Sequence, residues 1–173
     1  MAQPLTIAPI TGASVSINGT VLHGLIKEVN IDPIKYVMGD FQAIGMIGVE
    51  QLQLGIEKVE GSMTLTTTNL ALVNSLAPFG KKVQMQVSAN KSTMGSSTVM
   101  TRVQWQMSIT AKMAPVELKH KAQEMAEFSY EFAVSSLEII DNGQSILKYD
   151  ATANILQIGG VDALSTFRNN LAI

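Results

Sequence analysis

Polar and apolar side chains alternate with a period of two between Val99 and Met113. One face of this segment holds Val99, Val103, Trp105, Met107, Ile109, Ala111 and Met113. The opposite face holds Met100, Arg102, Gln104, Gln106, Ser108, Thr110 and Lys112. Only a β-strand separates two such sets. Because typical strands have about 5–6 residues, the pattern predicts an unusually long strand with a dry face and a wet face.

Other segments with the strand pattern are shorter. Asn18-Gly19 predicts a hairpin between Ser14–Ile17 and Thr20–Ile31, because both residues of this pair tolerate positive φ. The remaining strands are expected at Lys58–Thr68, Lys81–Ala89, Met125–Ile139, Gln144–Asp150 and Ile155–Ile158. The inward side chains of Met125–Ile139 are expected to be Phe128, Tyr130, Phe132 and Val134. Small polar residues predict turns at Asn90–Ser97 and Asp141–Gly143.

Helices are expected to be few and short. Asn69 can cap a helix over Leu70–Leu76, Asp162–Asn170 predicts a second helix, and Met1–Gly12 predicts an irregular arm. The length of 173 residues suits one domain over 1–173. Many strands joined by short turns favour a mainly β fold, an antiparallel barrel or sandwich with one or two short helices.

The segment Ile34–Gly55 combines four glycines with many large apolar residues. The glycines weaken a regular strand pattern, whereas the apolar residues argue against a solvated loop. Two interpretations stay open: a strand pair with bulges, or an apolar loop that docks on a neighbouring subunit. Since methionine adapts to irregular surfaces, Met38 and Met46 are candidates for a subunit contact.

Charged residues make up 15% of the chain and apolar residues 46%, whereas an average soluble chain is about 25% charged. Charged side chains are depleted from interface cores, so this composition favours apolar surface buried between subunits. The net charge of -2 provides no general attraction for nucleic acid. No apolar run approaches the roughly 18–20 residues of a spanning helix, and Met1–Ile10 lacks the basic residues of a signal peptide. We therefore expect no membrane anchor.

Few residues carry catalytic or ligand-binding chemistry. The chain has no cysteine, which excludes thiolate metal sites and a cysteine nucleophile. His23 lies in the first hairpin, where a structural or surface role is expected, and His120 lies in the charged segment Pro115–Glu124, expected to be a solvated turn or edge. Two isolated histidines do not make a zinc site. Neither a P-loop nor a nucleophile elbow occurs.

Two carboxylate pairs follow strand spacing on predicted wet faces: Glu57 with Glu60, and Glu127 with Glu131. A role in solubility is the expectation, although a catalytic pair assembled in space stays open. We expect neither enzyme activity nor a cofactor or metal site.

Three short motifs occur in order along the chain. The first comprises Asn18-Gly19, Gly24, Lys27 and Val29. The second comprises Gly45-Met46-Ile47-Gly48 followed by Leu54-Gly55. The third comprises Gly160-Val161-Asp162, Leu164, Arg168 and Asn170. Together they resemble the opening hairpin, central loop and C-terminal signature of the major tail tube protein of contractile-tailed bacteriophages, whereas Lys81–Glu138 matches in strand pattern only.

This resemblance implies hexameric rings stacked into a hollow inner tail tube, with strands of all six subunits joined in one shared inner β-barrel. It implies homo-oligomeric contacts through a long loop at Tyr36–Gly55. The other partners would be the tail sheath protein outside, the tape-measure protein in the bore, and the baseplate and tail terminator proteins. DNA would pass through the bore non-specifically. The protein would belong to the virion and assemble in the bacterial host cytoplasm.

The expected interface residues are Tyr36, Met38, Phe41, Gly45, Met46, Gly48, Leu52, Leu54 and Arg168. For Arg168 two roles stay open, an ion pair at an interface or coverage of a helix end. Arg102 and Lys112 argue against a wholly bore-facing wet face for the long strand, because cations would slow DNA, unless Glu127 and Glu131 offset them across the ladder.

Two alternatives differ in class. One is a tube or ring protein of a phage-derived bacteriocin or of a bacterial contractile secretion system. The other is a monomeric β-barrel that binds a ligand in a closed pocket. The third motif favours the phage tail family over a secretion-system ring protein. The resemblance does not separate a phage from a phage-derived bacteriocin, and the monomeric alternative stays open to a test by sedimentation.

Overall fold

Antiparallel strands make up most of the described chain, which in this computed structural model comprises residues 10–22, 24–66, 74, 76, 80–93, 99–113 and 127–171. The strands are β1 (Ile10–Ile17), β2 (Thr20–Val21), β3 (Ile26–Ile31), β4 (Tyr36–Phe41), β5 (Glu50–Ile56), β6 (Val59–Leu65), β7 (Val83–Thr93), β8 (Val99–Ala111), β9 (Phe128–Asp141), β10 (Gln144–Asp150), β11 (Ile155–Ile158) and β12 (Val161–Asp162). The helix α1 spans Ser165–Leu171.

Ten of these strands belong to one sheet. Eight follow one another in the order β12-β11-β10-β9-β8-β7-β1-β2, while β6 pairs with β9 and carries β3 on its other edge. Strands β4 and β5 form a separate two-stranded sheet. The described strands do not close into a barrel, so the mainly β prediction is confirmed in its sandwich-like form.

Strand β9 serves both parts of the sheet because it bends at Ser135. Its first half pairs with β6 and its second half with β10, while β8 runs along the opposite edge. Ser135 is the extra residue of a bulge opposite Ser108 and Ile109. Its hydroxyl donates to the Ser108 carbonyl (3.1 Å), and its own carbonyl accepts from Ala151 N–H (3.0 Å). A bulge bends its strand, which lets one strand belong to two layers.

The core lies between these layers and contains the apolar side chains that alternate along their strands. Strand β6 is buried at every second residue, and β9 turns Tyr130, Phe132 and Val134 inward, as predicted. The core residues are Val15, Ile17, Leu22, Val59, Met63, Leu65, Leu76, Val83, Met85, Met107, Ile109, Tyr130, Phe132, Val134, Leu137, Tyr149 and Leu156.

The long predicted strand is β8, and it ends two residues earlier than expected. Met107 and Ile109 are buried on its dry face, as the alternation predicts. Met113 is not, because it lies beyond the last ladder pair and is exposed. Ser108 lies on the predicted wet face but is buried. It lies opposite the bulge at Ser135, and its hydroxyl accepts a hydrogen bond from Gln84.

Several other boundaries differ from the expectations. Asn18-Gly19 forms the predicted turn with positive φ at both residues, but β2 is short and β3 leaves to pair with β6. The arm prediction is wrong for residues 10–12 and the turn prediction for residues 90–93, because β1 pairs with β7 there and β7 continues in its ladder with β8 to residue 93. Strand β12 was not expected.

Some predictions lie wholly or partly outside the described residues. These are the arm at 1–9, His23, most of the helix at 70–76, the tip of the turn at 94–97, and the segment 115–124 with His120. Of the predicted helix only Asn74 and Leu76 are described, and both are helical.

Candidate assembly surface

Residues 36–56 form a two-stranded ribbon, which consists of β4, the loop 42–49 and β5. The register runs from Tyr36 opposite Ile56 to Phe41 opposite Glu50, with an irregularity after Val37. A bulged strand pair was one of the two interpretations of this segment, and it is confirmed. The contact of the ribbon with a neighbouring subunit remains a prediction.

The ribbon exposes large apolar side chains on both strands and in its loop. Ile44 and Ile47 are fully exposed at 108% and 104%. The other exposed apolar residues are Tyr36, Val37, Met38, Phe41, Met46, Val49, Leu52 and Leu54. A two-stranded ribbon is marginally stable in water by itself, and clustered apolar exposure indicates a partner surface.

Six of these ten side chains are interface residues predicted from the sequence, whereas Val37, Ile44, Ile47 and Val49 were not predicted. The predicted anchors were mainly aromatic residues and methionines. The signal for Ile44 and Ile47 is the run from Phe41 to Val49, which carries no charge. In this run each of the two isoleucines directly precedes a glycine.

The loop holds its apolar tip outward through a compact turn. Met46 N–H donates to the Ala43 carbonyl at 3.1 Å, and Ala43 N–H approaches the Met46 sulfur at 3.4 Å. Gly45 adopts φ of 96°, a conformation that glycine reaches without strain. The turn therefore needs glycine at this position, and Ile44 precedes it at the tip.

Ionisable side chains lie only at the two ends of this loop. Asp40 and Glu50 are both exposed, and the Asp40 carboxylate accepts a hydrogen bond from Gln51 Nε2 at 3.2 Å. The loop between them carries no charge. Burial of the tip against a protein surface would therefore desolvate apolar groups without burying a charge.

The base of the ribbon meets the C-terminal part of the chain at a cleft of about 360 Å³. Tyr36 and Leu54 line it from the ribbon, and Leu164 and Phe167 line it from the region of α1. Phe167 is itself half exposed. The apolar surface therefore continues from the ribbon onto the helix that carries Arg168.

Arg168 binds groups of its own chain. Its Nη1 donates to the Asn154 carbonyl at 2.8 Å, and its guanidinium forms an ion pair with the Asp162 carboxylate. This hydrogen-bonded pair lowers the pKa of Asp162, and Leu164 N–H also donates to that carboxylate at 3.0 Å. Arg168 therefore joins α1 to β12 and to the turn before β11, while its role between subunits stays a prediction.

One carboxylate of each predicted pair forms an ion pair with lysine. Glu60 binds Lys112 and Lys58, and these hydrogen bonds lower the pKa of its carboxyl group. Glu127 binds Lys27 at 2.8 Å. The partner of Lys112 is thus Glu60 rather than Glu127 or Glu131.

No group of three His, Cys, Asp or Glu side chains in the described ranges is arranged to hold a metal ion. No described helix has the length and apolar character needed to cross a membrane.

The described geometry is that of a structural subunit: a sandwich-like β core that presents an apolar ribbon with a charge-free loop. Residues 8–171 match the family described as phage tail tube protein FII. The chain therefore belongs to the phage tail tube family, and it is a structural component of the virion that assembles into a tube with other tail proteins. No curated protein matches it.

Proposed function

We propose that this chain forms hexameric rings that stack into the inner tail tube beneath a contractile sheath, and that the tube conducts DNA during ejection. The observation that carries this proposal is the exposed apolar ribbon of residues 36–56. Membership of the tail tube family supports it.

In this proposal the contact is heterologous: the ribbon of one subunit packs on a different part of its neighbour. Heterologous contacts close into rings when the rotation per subunit permits closure, and otherwise extend along an axis. A tube of stacked rings needs both outcomes. The ribbon is a two-stranded sheet separate from the larger one, and its strands and loop are exposed, so it can contact a second subunit.

The anchors of the contact are proposed to lie at the ribbon tip and along its strands. Ile44, Met46, Ile47 and Phe41 lie at the tip, and burial of one such side chain contributes about 1.5–3 kcal/mol. Gly45 and Gly48 permit a close approach of backbones. The remaining proposed interface residues are Tyr36, Met38, Leu52, Leu54 and Arg168.

The other tail proteins have separate places in this scheme. The sheath binds the outer wall, the tape-measure protein fills the bore before DNA does, and the baseplate and terminator proteins bind the two ends. Assembly takes place in the cytoplasm of the bacterial host. The net charge of -2 supports weak contact with DNA, since each neutralised phosphate would add affinity and slow passage.

Sedimentation and negative-stain electron microscopy of the purified protein test the proposal. We expect hollow tubes or rings of uniform diameter with six subunits in end view. A sharp monomer at high concentration with no rings on the grid would contradict it and favour a monomeric binding protein.

A further inference from the structure

One face of the sheet, directed away from the core, is built almost entirely from uncharged polar side chains, of which Ser108 is buried and the others are exposed or partly exposed. It spans three adjacent strands, β1, β7 and β8, in four rows that share a register. We call this set the amide face, and it comprises Ser14, Ser88 and Gln104; Ser16, Gln86 and Gln106; Asn90 and Arg102; Gln84 and Ser108. Arg102 is its one charged member; on the same side of β8, the exposed Met100 lies beyond one end of the set and Lys112, bound to Glu60, lies beyond the other.

Several side chains of the amide face form hydrogen bonds with one another. Gln86 Nε2 donates to the Ser88 hydroxyl at 3.3 Å, and Gln84 Nε2 donates to the Ser108 hydroxyl at 3.4 Å. Arg102 Nη2 also donates to the Ser88 hydroxyl, at 3.1 Å. The guanidinium is therefore held against the sheet instead of extending freely from it.

The row through Gln106 continues onto the next two strands. There Glu138 and Lys148 are register partners of opposite sign. Opposite charges in directly paired positions attract each other, so they add no net charge to the row.

The outer side of the other layer has a different character. Strands β3, β6 and β9 carry three acidic residues there, Glu28, Glu60 and Glu131, and Lys27, Lys58 and Lys112 lie beside them. About a quarter to a third of an ordinary solvent surface is charged, which limits association between molecules. The second layer fits that description, and the amide face does not.

We infer that the amide face is turned toward the bore of the tube, where DNA passes. This inference rests on the proposed function and deepens it by naming the surface that the DNA meets. Arg102 is the one cation among these ten side chains, so such a wall releases few counterions from DNA and gains little affinity for phosphates. Amides and hydroxyls still donate and accept hydrogen bonds, so the wall stays hydrated.

The composition argues against the two other positions for this face in a tube. The cores of protein interfaces are enriched in aromatic residues and methionine and depleted in serine, which describes the ribbon rather than the amide face. An outer wall is surrounded by solvent and other proteins, where charges of both signs are favoured.

Labelling with thiol reagents tests the inference, because the chain has no cysteine and one substitution places one thiol. The variants are Gln106→Cys and Gln84→Cys, both at exposed positions, with Glu28→Cys on the other layer as the control. Each is treated with N-ethylmaleimide and with a maleimide that carries a long polyethylene glycol chain, before and after assembly into tubes.

We expect both reagents to label the unassembled subunits. In tubes, the Gln106 and Gln84 variants should keep their reaction with N-ethylmaleimide and lose the reaction with the large reagent, a pattern absent from Glu28→Cys. Reaction with both reagents in tubes would place the face outside, and reaction with neither would place it between subunits. Failure of both variants to assemble would also assign it to a subunit contact. Each of these three results overturns the inference, whereas a wild-type chain that forms no tubes overturns the proposed function itself.

Discussion

The ring of Phe132 lies directly over Gly61, its register partner on β6. A methyl group at Gly61 would come within 2.6 Å of Phe132 Cε2 and 2.7 Å of the Asn30 carbonyl oxygen. The backbone carbonyl cannot move aside, since it belongs to the adjacent strand β3. The aromatic side chain thus takes the space that glycine leaves free, where β3, β6 and β9 meet the core.

Gly61→Ala is therefore expected to destabilise the subunit by about 1–3 kcal/mol, the usual cost of overpacking a core. Gly55→Ala is the matched control, because a methyl group there meets nothing within 4 Å. Urea unfolding of the unassembled subunit, followed by circular dichroism, measures both variants. Equal stability of the two variants would show that the Phe132 ring and β3 adjust freely.

Tyr130 provides a second test of the core. Its side chain is fully buried, the described residues give its hydroxyl no hydrogen-bond partner, and burial raises its pKa to about 12. The unfolded chain ionises this phenol near its ordinary value of 10.0. The neutral phenol therefore makes its full contribution to the free energy of unfolding when the pH is below 10.0, and this contribution is lost as the pH rises toward about 12.

We expect Tyr130→Phe to be as stable as wild type at neutral pH, or more stable, because it removes an unpaired polar group. It should also lose less stability than wild type when the pH rises to about 11. Urea unfolding at several pH values measures this, with Tyr36→Phe on the exposed ribbon as the control. Identical alkaline losses in wild type and Tyr130→Phe would contradict the assignment.

The Asp162–Arg168 pair predicts an acid response at the C-terminal end of the described chain. The ion pair lowers the pKa of Asp162 below its ordinary 3.8. The ion pair therefore makes its full contribution to stability when the pH is above 3.8, and this contribution is lost as the pH falls through the lowered pKa. Hydrogen exchange of the α1 amides should show protection that decreases in this acidic range.

The variant Asp162→Asn should give weaker protection of α1 already at neutral pH and no further change on acidification. Asp40→Asn is the control, since that carboxylate binds Gln51 on the ribbon and not α1. Full α1 protection in Asp162→Asn would show that apolar contacts such as those of Phe167 hold the helix without the pair.

The structural features that could be predicted from the sequence are those with a local cause. The turns at Asn18-Gly19 and Asn142-Gly143 follow from residues that accept positive φ. Alternation likewise indicated which side chains of β6 and β9 face the core. These features need only the neighbouring residues of the chain.

The branching of the sheet at Ser135 has no local signal, because it depends on the pairing of β9 with β6 and β8, which are distant in sequence. The same holds for β3, which leaves the first hairpin for a better-buried edge on β6. At the assembly surface, the apolar segment was evident, but its most exposed residues Ile44 and Ile47 were not. Their exposure depends on the turn at Gly45 rather than on the hydropathy pattern.

Ile44→Asp tests the proposed anchor of assembly. A charge at the fully exposed tip leaves the isolated subunit intact but opposes burial in a contact, at a loss of at least about 1.5 kcal/mol per contact. That loss raises the concentration needed for assembly more than tenfold. Sedimentation should show folded subunits with no tubes, whereas Ile44→Met should still assemble. Full-length tubes of Ile44→Asp would show that the ribbon tip is not part of the interface.

A helical reconstruction by electron cryo-microscopy of tubes formed by the purified protein tests the central claim most directly. The account predicts six subunits per ring and density for residues 36–56 packed against another subunit, with the Ile44 and Ile47 side chains buried. Tubes in which this ribbon projects into solvent, or a preparation that contains only monomers, would contradict it.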